Sequence, residues 1–557
     1  MNFSVKSLFL LSADAILPAM IWFFLAGLFW LLLQCPQVQA EAAAVNRTPI
    51  IETIVIEGNT RFSDDELEPI IEPYRGRALA AKDIHQLKNA LTLYYVNRGY
   101  INSGALVPRQ DLATGILRLQ VVEGRLLAID IEGNKRLRTG YIQRRVQPGL
   151  TEISNKANAP ILNVNRLQQR LKLLEQDPRI ERLHATLKPG IRLGEAELAL
   201  TVEEARPYYL TLGLDNHLSP NVGDWQGSLG IGHLNLLGFG DSLSFDYRRA
   251  EGWRSYRGEY AIPIGSRGAV LAVSANNSES EVVAMPFDQL EITSQSESYG
   301  LHLHYPAYRT LTTAVTLGVG FEQRRSGSFL LGNPFAFSDG GPDGRSRLKV
   351  LSFSHQLVHR RIDRVLAAQS RFDISLDRQQ DTEDSTPDGE FTAWLGQAQW
   401  LRQFNPDDDH LLPRSQLLWR LLLRWTNEPM LSSEQFPIGG NATVRGYREN
   451  QLTRDKGIVT SLEWRIGIGH WLLPGAESDA DHLQLAPFID YGKGINTNRG
   501  TPNPRDLTSV GMGIRWSVNR HLSAQLYWAE ALTTVTTGTE HSLQDDGLHA
   551  RVRLHLN

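Results

Sequence analysis

From Tyr208 to the end of the chain, apolar and polar side chains alternate in segments of roughly ten residues. The last segment is the clearest. Leu548, Ala550, Val552, Leu554 and Leu556 fall on one face, and His549, Arg551, Arg553 and His555 on the other. From Ile458 onward, Thr460, Leu462, Trp464, Ile466 and Ile468 oppose Ser461, Glu463 and Arg465. A period of two means strands, because successive Cβ atoms point to opposite faces of a sheet. Sixteen such segments can be placed between 208–216 and 546–556, separated by clusters of Gly, Pro, Asn and Asp. Past the N-terminal forty residues no stretch is apolar enough for a spanning helix, so a membrane-crossing mature chain must cross as a closed barrel of strands. Arg and Glu on the polar face fit a barrel that is apolar outside and polar inside. So do Trp225, Trp253, Trp394, Trp400, Trp419, Trp425, Trp464, Trp471, Trp516 and Trp528, several of them near segment ends. Sixteen strands would enclose a water-filled lumen. The alternative is a soluble β-sandwich or propeller, whose strands usually span about 5–6 residues.

Composition agrees only once this pattern is seen. The formal charge is −4, 41% of residues are hydrophobic and the mean hydropathy is −0.27. These values exclude a polytopic helical membrane protein and give no nucleic-acid footprint. A barrel spends only alternate residues on lipid, so its average stays polar. At the N-terminus, Lys6, the apolar run Ile16–Leu33 and the exit Val38-Gln39-Ala40 read as a signal peptide over 1–40. An uncleaved anchor is the alternative. Cys35, the single cysteine, would leave with the leader. Gln34 stands where lipoprotein processing would want a small residue.

Between 48 and 206 the chain repeats itself. Glu57-Gly58-Asn59-Thr60-Arg61-Phe62 returns as Glu132-Gly133-Asn134-Lys135-Arg136-Leu137. Each copy follows a β-rich run, Ile50 to Ile56 and Leu126 to Ile131. In the first copy Ser63-Asp64-Asp65-Glu66 opens a short helix. Lys82 to Asn97 carries Ile84, Leu87, Leu91 and Tyr95 at helical spacing, and strands follow near 104–108 and 116–122. The second copy predicts helices at 139–146 and 161–175 and strands near 180–188 and 195–203. This is β-α-α-β-β twice, an α+β pair over 48–125 and 126–206, followed by an all-β body over 208–557. By composition alone the pair is two generic domains.

The long loop 428–456 carries Val444-Arg445-Gly446-Tyr447 after Gly439-Gly440. In the next segment but one, period-2 spacing places Phe488, Asp490 and Gly492 on one face and Leu485, Ile489 and Tyr491 on the other. Asp490 then points into the lumen, and a loop folded inward would bring Arg445 to it. An exposed loop with an unrelated lumen aspartate is the other reading. His302-x-His304 offers two imidazoles on one strand face, either a metal pair or lumen-facing polar residues. Asp407-Asp408-Asp409 reads as a solvated loop tip or a surface cation site. No phosphate loop, zincin motif or nucleophile elbow is present. No catalysis, cofactor, metal or nucleic-acid partner is expected.

Taken together, these features resemble the outer-membrane transporters of two-partner secretion (TpsB type), in a superfamily that also holds BamA-like insertases. Val444-Arg445-Gly446-Tyr447 is similar to the family's V-R-G-Y loop tip, and Phe488-x-Asp490-x-Gly492 to its F-x-D-x-G barrel motif. Tyr95-x-x-Arg98-Gly99-Tyr100, Val107-Pro108-Arg109-Gln110-Asp111 and Val122-Glu123-Gly124-Arg125-Leu126 resemble the first POTRA domain. Asp215-Asn216 and Asn235-Leu236-Leu237-Gly238-Phe239-Gly240-Asp241 resemble the start of the barrel. The resemblance implies two periplasmic POTRA domains and a 16-stranded antiparallel barrel in the outer membrane of a diderm bacterium. It implies export, without ATP, of one unfolded exoprotein: an adhesin, a haemolysin or a haem-scavenging protein. Outer-membrane lipid and the barrel assembly machinery would be further partners, and the protein would be a monomer. A BamA-like insertase is the alternative function.

The sequence departs from the family in three ways. Only about ten residues separate the leader from the first strand, too few for the N-terminal plug helix of some members. The inward loop is then expected to gate alone. The chain ends Leu556-Asn557, where outer-membrane barrels often end in an aromatic residue. A polar insertion spans 146–160 between the two helices of the second copy.

Overall fold

The computed structural model describes residues 49–146, 161–337, 342–376, 387–404, 415–468, 483–519, 521–536 and 540–556. The leader, nearly all of the polar insertion, Asp407–Asp409 and Trp471 lie outside these residues. There are two compact units. One holds the described residues up to Glu57 with Arg61–Ala90 and Leu106–Gln120; the other holds Gly58–Thr60, Leu91–Ala105 and Val121 onward.

The first repeat comprises β1 (Ile50–Ile51), β2 (Thr53–Glu57), α1 (Asp64–Ile71), β3 (Arg77–Ala78), α2 (Ala81–Asn97), β4 (Gly104–Leu106) and β5 (Ile116–Val122). α1 begins where Ser63 and Glu66 form a capping box, with three acids in the first turn favouring the helix dipole. Ile84, Leu87, Leu91 and Tyr95 form the buried stripe of α2. The run Ile50 to Ile56 is two strands rather than one. β1 pairs antiparallel with β3, whereas β2 pairs parallel with β5.

The second repeat comprises β6 (Arg125–Glu132), α3 (Thr139–Val146), α4 (Val164–Glu175), β7 (Ile180–Pro189) and β8 (Glu195–Glu204), in a sheet of order β6-β8-β7. Leu126, Tyr141, Ile142, Leu174, Leu198 and Leu200 form its core. α4 starts at Val164, not 161, because Asn163 caps it by accepting from the Arg166 amide, while Ile161 bridges back to Arg125. The duplicated Gly-Asn has a common cause. Gly58 and Gly133 adopt φ of +82° and +84°, and a Cβ on either would collide with the carbonyl oxygen of Val121 or Val202. Only glycine combines the left-handed turn with that approach.

The wall of the barrel begins with β9 (Tyr208–Asp215), β10 (Gln226–His233), β11 (Ser242–Arg249), β12 (Trp253–Ile264), β13 (Ala269–Glu281), β14 (Thr293–Arg309) and β15 (Thr313–Leu330). A two-residue strand, β16 (Asn333–Pro334), folds back on the tip of β15. The wall continues through β17 (Arg345–Arg360), β18 (Arg364–Ser375), β19 (Thr392–Gln403) and β20 (Ser415–Thr426). The long loop contains β21 (Phe436–Ile438) and β22 (Leu452–Arg454), which pair only with each other. β23 (Lys456–Gly467), β24 (Leu483–Ile495), β25 (Asp506–Ser517), β26 (Leu522–Ala531) and β27 (Leu548–Leu556) complete the wall. Neighbours are antiparallel throughout, and β27 closes on β9 from Arg551↔Asp215 to Leu556↔Leu210. The sixteen wall strands coincide with the sixteen alternating segments. β14 and β15 are longer than expected, at 17 and 18 residues, while β17 matches its expected span 346–360 to within one residue.

The first turn of the barrel rests on the second repeat. Asp241 accepts the amides of Leu237 and Phe239, fixing the turn Asn235–Asp241. Arg138 donates its amide to the Gly238 carbonyl and stacks its guanidinium 3.8 Å from the Phe239 ring centroid. Arg179 donates to the Leu234 carbonyl at 2.6 Å. The Tyr141 ring fills the space where a Cβ on Gly240 would sit, and its hydroxyl donates to Asp177 at 2.5 Å. Burial, ahead of the Asp177 charge, holds that hydroxyl well above its ordinary pKa, so it remains a donor.

Candidate functional site

The segment between β20 and β23 turns into the lumen. β21 and β22 form its stalk, and Phe436, Ile438, Val444, Tyr447 and Leu452 pack with Val459 of β23 and Leu507 of β25 in an apolar cluster. The fit depends on missing side chains. A Cβ on Gly492 would lie 2.5 Å from Ile438 and 2.8 Å from Val444, and one on Gly446 would lie 2.9 Å from Ala529. Gly446 also holds φ at +87°. At the base of the loop, the buried Asp455 accepts from the amides of Met430 and Thr497, from Gln435 and from Arg499.

Arg445 is 1% exposed and Asp490 0%. The Arg445 Nε and Nη2 donate to the two Asp490 oxygens at 2.7 and 2.9 Å, and the Arg445 amide donates to Asp490 at 3.1 Å. Nη1 donates to Glu463 at 2.5 Å and Nη2 also to Ser461 at 3.2 Å. The guanidinium lies 3.4 Å from the Phe488 ring centroid and 4.8 Å from that of Tyr527. A cation enclosed by two carboxylates and two aromatic rings is paired on every side.

The register of the wall explains the convergence. Asp490 is opposite Ser461 and Phe488 opposite Glu463, so β23 and β24 present both acids on one face. Tyr447 donates to the Thr508 carbonyl at 2.6 Å and accepts the Thr533 amide. The structure thus brings Arg445 onto Asp490 and Phe488 and Val444 against Gly492, while Gly446 abuts Ala529 and Tyr447 is held by Thr508 and Thr533. Sequence reading missed Ser461, Glu463 and Tyr527, although Ser461 and Glu463 already stood on a polar period-2 face. It also missed the attachment beyond the tip. Arg448 forms a two-pronged ion pair with Asp545 at 2.6 Å, the Glu449 amide donates to Gln544, and the Gly446 amide to His549. Glu449 accepts the Asn441 amide, and burial pushes its carboxyl up to about 7.

His302 and His304 stack in the lumen with ring centroids 6.3 Å apart. Among the described residues no group of three His, Cys, Asp or Glu side chains is arranged to hold a metal ion.

Residues 194–516, more than half the chain, match the haemolysin secretion/activation protein ShlB/FhaC/HecB family. The chain belongs to that family. Residues 50–124 match its ShlB-type POTRA domain. Family membership makes the protein an outer-membrane β-barrel transporter of two-partner secretion, with its POTRA domains in the periplasm. The chain is 24% identical over 452 residues to the outer membrane transporter CdiB of Escherichia coli O6:K15:H31, covering 77% of this chain and 71% of that one. It is 21% identical over 493 residues to the heme/hemopexin transporter protein HuxB of Haemophilus influenzae, covering 83% and 80%. Its fold is similar to the solved structure of CdiB from Escherichia coli, with a TM-score of 0.66 at 20% identity over 97% and 98% of the two chains. BamA from Haemophilus ducreyi shares the fold at a TM-score of 0.54 and 13% identity, over 91% of this chain and 100% of that one.

Proposed function

We propose that this protein exports one unfolded exoprotein from the periplasm to the outside and that the inward loop is its gate. The observation that carries the reading is the lodging of Arg445 against Asp490 and Glu463 inside the lumen. A static channel gains nothing from a buried ionic anchor on a loop. A channel that must stay shut until its cargo arrives needs one that is specific and reversible. The two POTRA domains supply sheet edges on which an extended segment adds as a strand, with backbone hydrogen bonds giving affinity. The segment then enters the lumen and displaces the loop. No nucleotide-binding motif occurs in the sequence, so direction comes from folding of the cargo outside, as a stack of β-coils. Relatives named for heme/hemopexin transport and, in Serratia marcescens, for hemolysin transport point to a cargo of that exoprotein class.

The deciding experiment disrupts the gene and compares proteins in the medium and in the outer membrane. Loss of one large secreted protein supports export. Depletion of many barrel proteins would establish the insertase reading instead. In the same strain, Arg445→Ala and Asp490→Ala are each expected to alter secretion. Unchanged secretion in both variants overturns the gating role.

A further inference from the structure

The lipid-facing side of the extracellular rim carries a charge cluster that transport does not use. β14, β15 and β17 continue past the apolar band of the wall. On β15 the outward residues climb from Leu317, Val319 and Phe321 to Gln323 and Arg325. On β17 they climb from Phe353 and Leu351 to Lys349, Arg347 and Arg345. The register sets Arg325 directly opposite Arg347, and Arg345 opposite Gly327. Arg345 leans toward Phe329, 5.7 Å from the ring centroid.

Like charges directly opposite each other destabilise a strand pair. Two cations elsewhere in the wall are compensated. On the outer face of β12 and β13, Arg254 is opposite Glu279 and paired with it. On the lumen side of β15, Arg324 is held by Glu322 and Glu434. Among the described residues Arg325, Arg345 and Arg347 have no ion-pair partner, although Glu297 is in register with Arg325 on β14. All three arginines are exposed.

We propose that Arg325, Arg345 and Arg347, with Lys349 beneath them, bind the phosphate groups of a phosphorylated glycolipid of the outer leaflet. Height and direction both fit. Arg347 is four residues above Leu351, about 13 Å along the strand and less along the membrane normal once strands tilt. That places its guanidinium in the headgroup layer. The side chains face away from the lumen, on the same face as the lipid-contacting column below. Guanidinium groups match phosphate oxygens in two-pronged geometry and stay charged at any physiological pH. The acyl chains would lie on Leu317, Phe321, Leu351 and Phe353. A free phosphate ion would make no use of that column, so the ligand is the lipid.

The test uses the full-length protein in detergent. Diphosphorylated lipid A, dephosphorylated lipid A and inorganic phosphate are titrated separately, with bound lipid read by native mass spectrometry and stability by thermal unfolding. Each cation near an anionic headgroup contributes about 1 kcal/mol, or about fivefold in affinity. Diphosphorylated lipid A is therefore expected to bind about a hundredfold tighter than the dephosphorylated form and to raise Tm. Inorganic phosphate should do neither. The triple variant Arg325→Gln, Arg345→Gln, Arg347→Gln should lose this preference and keep wild-type channel conductance. Equal binding of the two lipid A forms, an unchanged preference in the triple variant, or reproduction of the effect by inorganic phosphate overturns the proposal. If the triple variant does not form a barrel, the comparison of the two lipids on the wild-type protein decides, together with a fivefold loss expected for Arg347→Gln alone.

Discussion

Replacing Asp490 by Ala tests the anchor most directly. It removes a buried carboxylate that accepts three hydrogen bonds from Arg445, at 2.7, 2.9 and 3.1 Å. Breaking a buried ion pair costs about 3–5 kcal/mol. Arg445 keeps Glu463 at 2.5 Å and Ser461 at 3.2 Å, so the low end applies. At about 1.4 kcal/mol per factor of ten, about 3 kcal/mol moves the equilibrium between seated and released loop by roughly a hundredfold. Asp490→Asn retains the shape and one neutral acceptor and is expected to move it about tenfold. The loop can be watched with a thiol, since Cys35 is the chain's only cysteine and a Cys35→Ser background removes it. Val444 is fully buried under the loop tip. Val444→Cys should react slowly with an external maleimide, faster with Asp490→Asn added, and fastest with Asp490→Ala added. Equal labelling rates in all three, with folded barrels confirmed by heat-modifiable gel mobility, would refute the claim that this pair holds the loop.

Three further outcomes are expected. Gly492→Val puts methyl groups where Ile438 and Val444 sit; overpacking of about 1–3 kcal/mol should unseat the loop and raise single-channel open probability with the barrel intact. Glu449 is pushed up to about 7 when the loop is seated and returns toward the ordinary carboxylate value when it leaves; its contribution to the seated state is thus fully present below about pH 4.5 and lost as pH rises through 7, so openings should be more frequent at pH 8 than at pH 5, and Glu449→Gln should flatten that difference. Tyr141→Ala removes the ring packed against Gly240 and the donor to Asp177; a loss of about 3–5 kcal/mol should expose the second POTRA domain to limited proteolysis while the barrel stays resistant.

Legibility followed the strength of the physical constraint. Lipid on one side and water on the other impose a period of two on every wall strand, and that period located all sixteen. The excess length of β14 and β15 was hidden because alternation continues above the membrane with polar residues on both faces. Asp490 could be aimed inward from spacing alone. Its meeting with Arg445, 45 residues away, could not, and came from the resemblance of two short motifs. Glu463 and Tyr527 were out of reach for a related reason. Their place beside Arg445 is set by the register of β23 and β26, which no local pattern encodes. Arg448 finds Asp545 across 97 residues, through a loop contact with no periodicity to announce it.

The two acids that hold Arg445 are not equivalent. Glu463 also accepts from Arg465 at 2.7 Å and from Tyr527 at 3.3 Å, so it belongs to the wall whether or not the loop is home. Asp490 receives its hydrogen bonds from Arg445, by side chain and backbone together. Under the proposed gating, departure of the loop would leave Glu463 engaged and strip Asp490 of its hydrogen-bond donors. The open channel of that proposal would keep a berth of fixed charge and shape, fitted to one residue of its own chain, and return to rest would be a matter of re-docking at a marked place rather than of refolding.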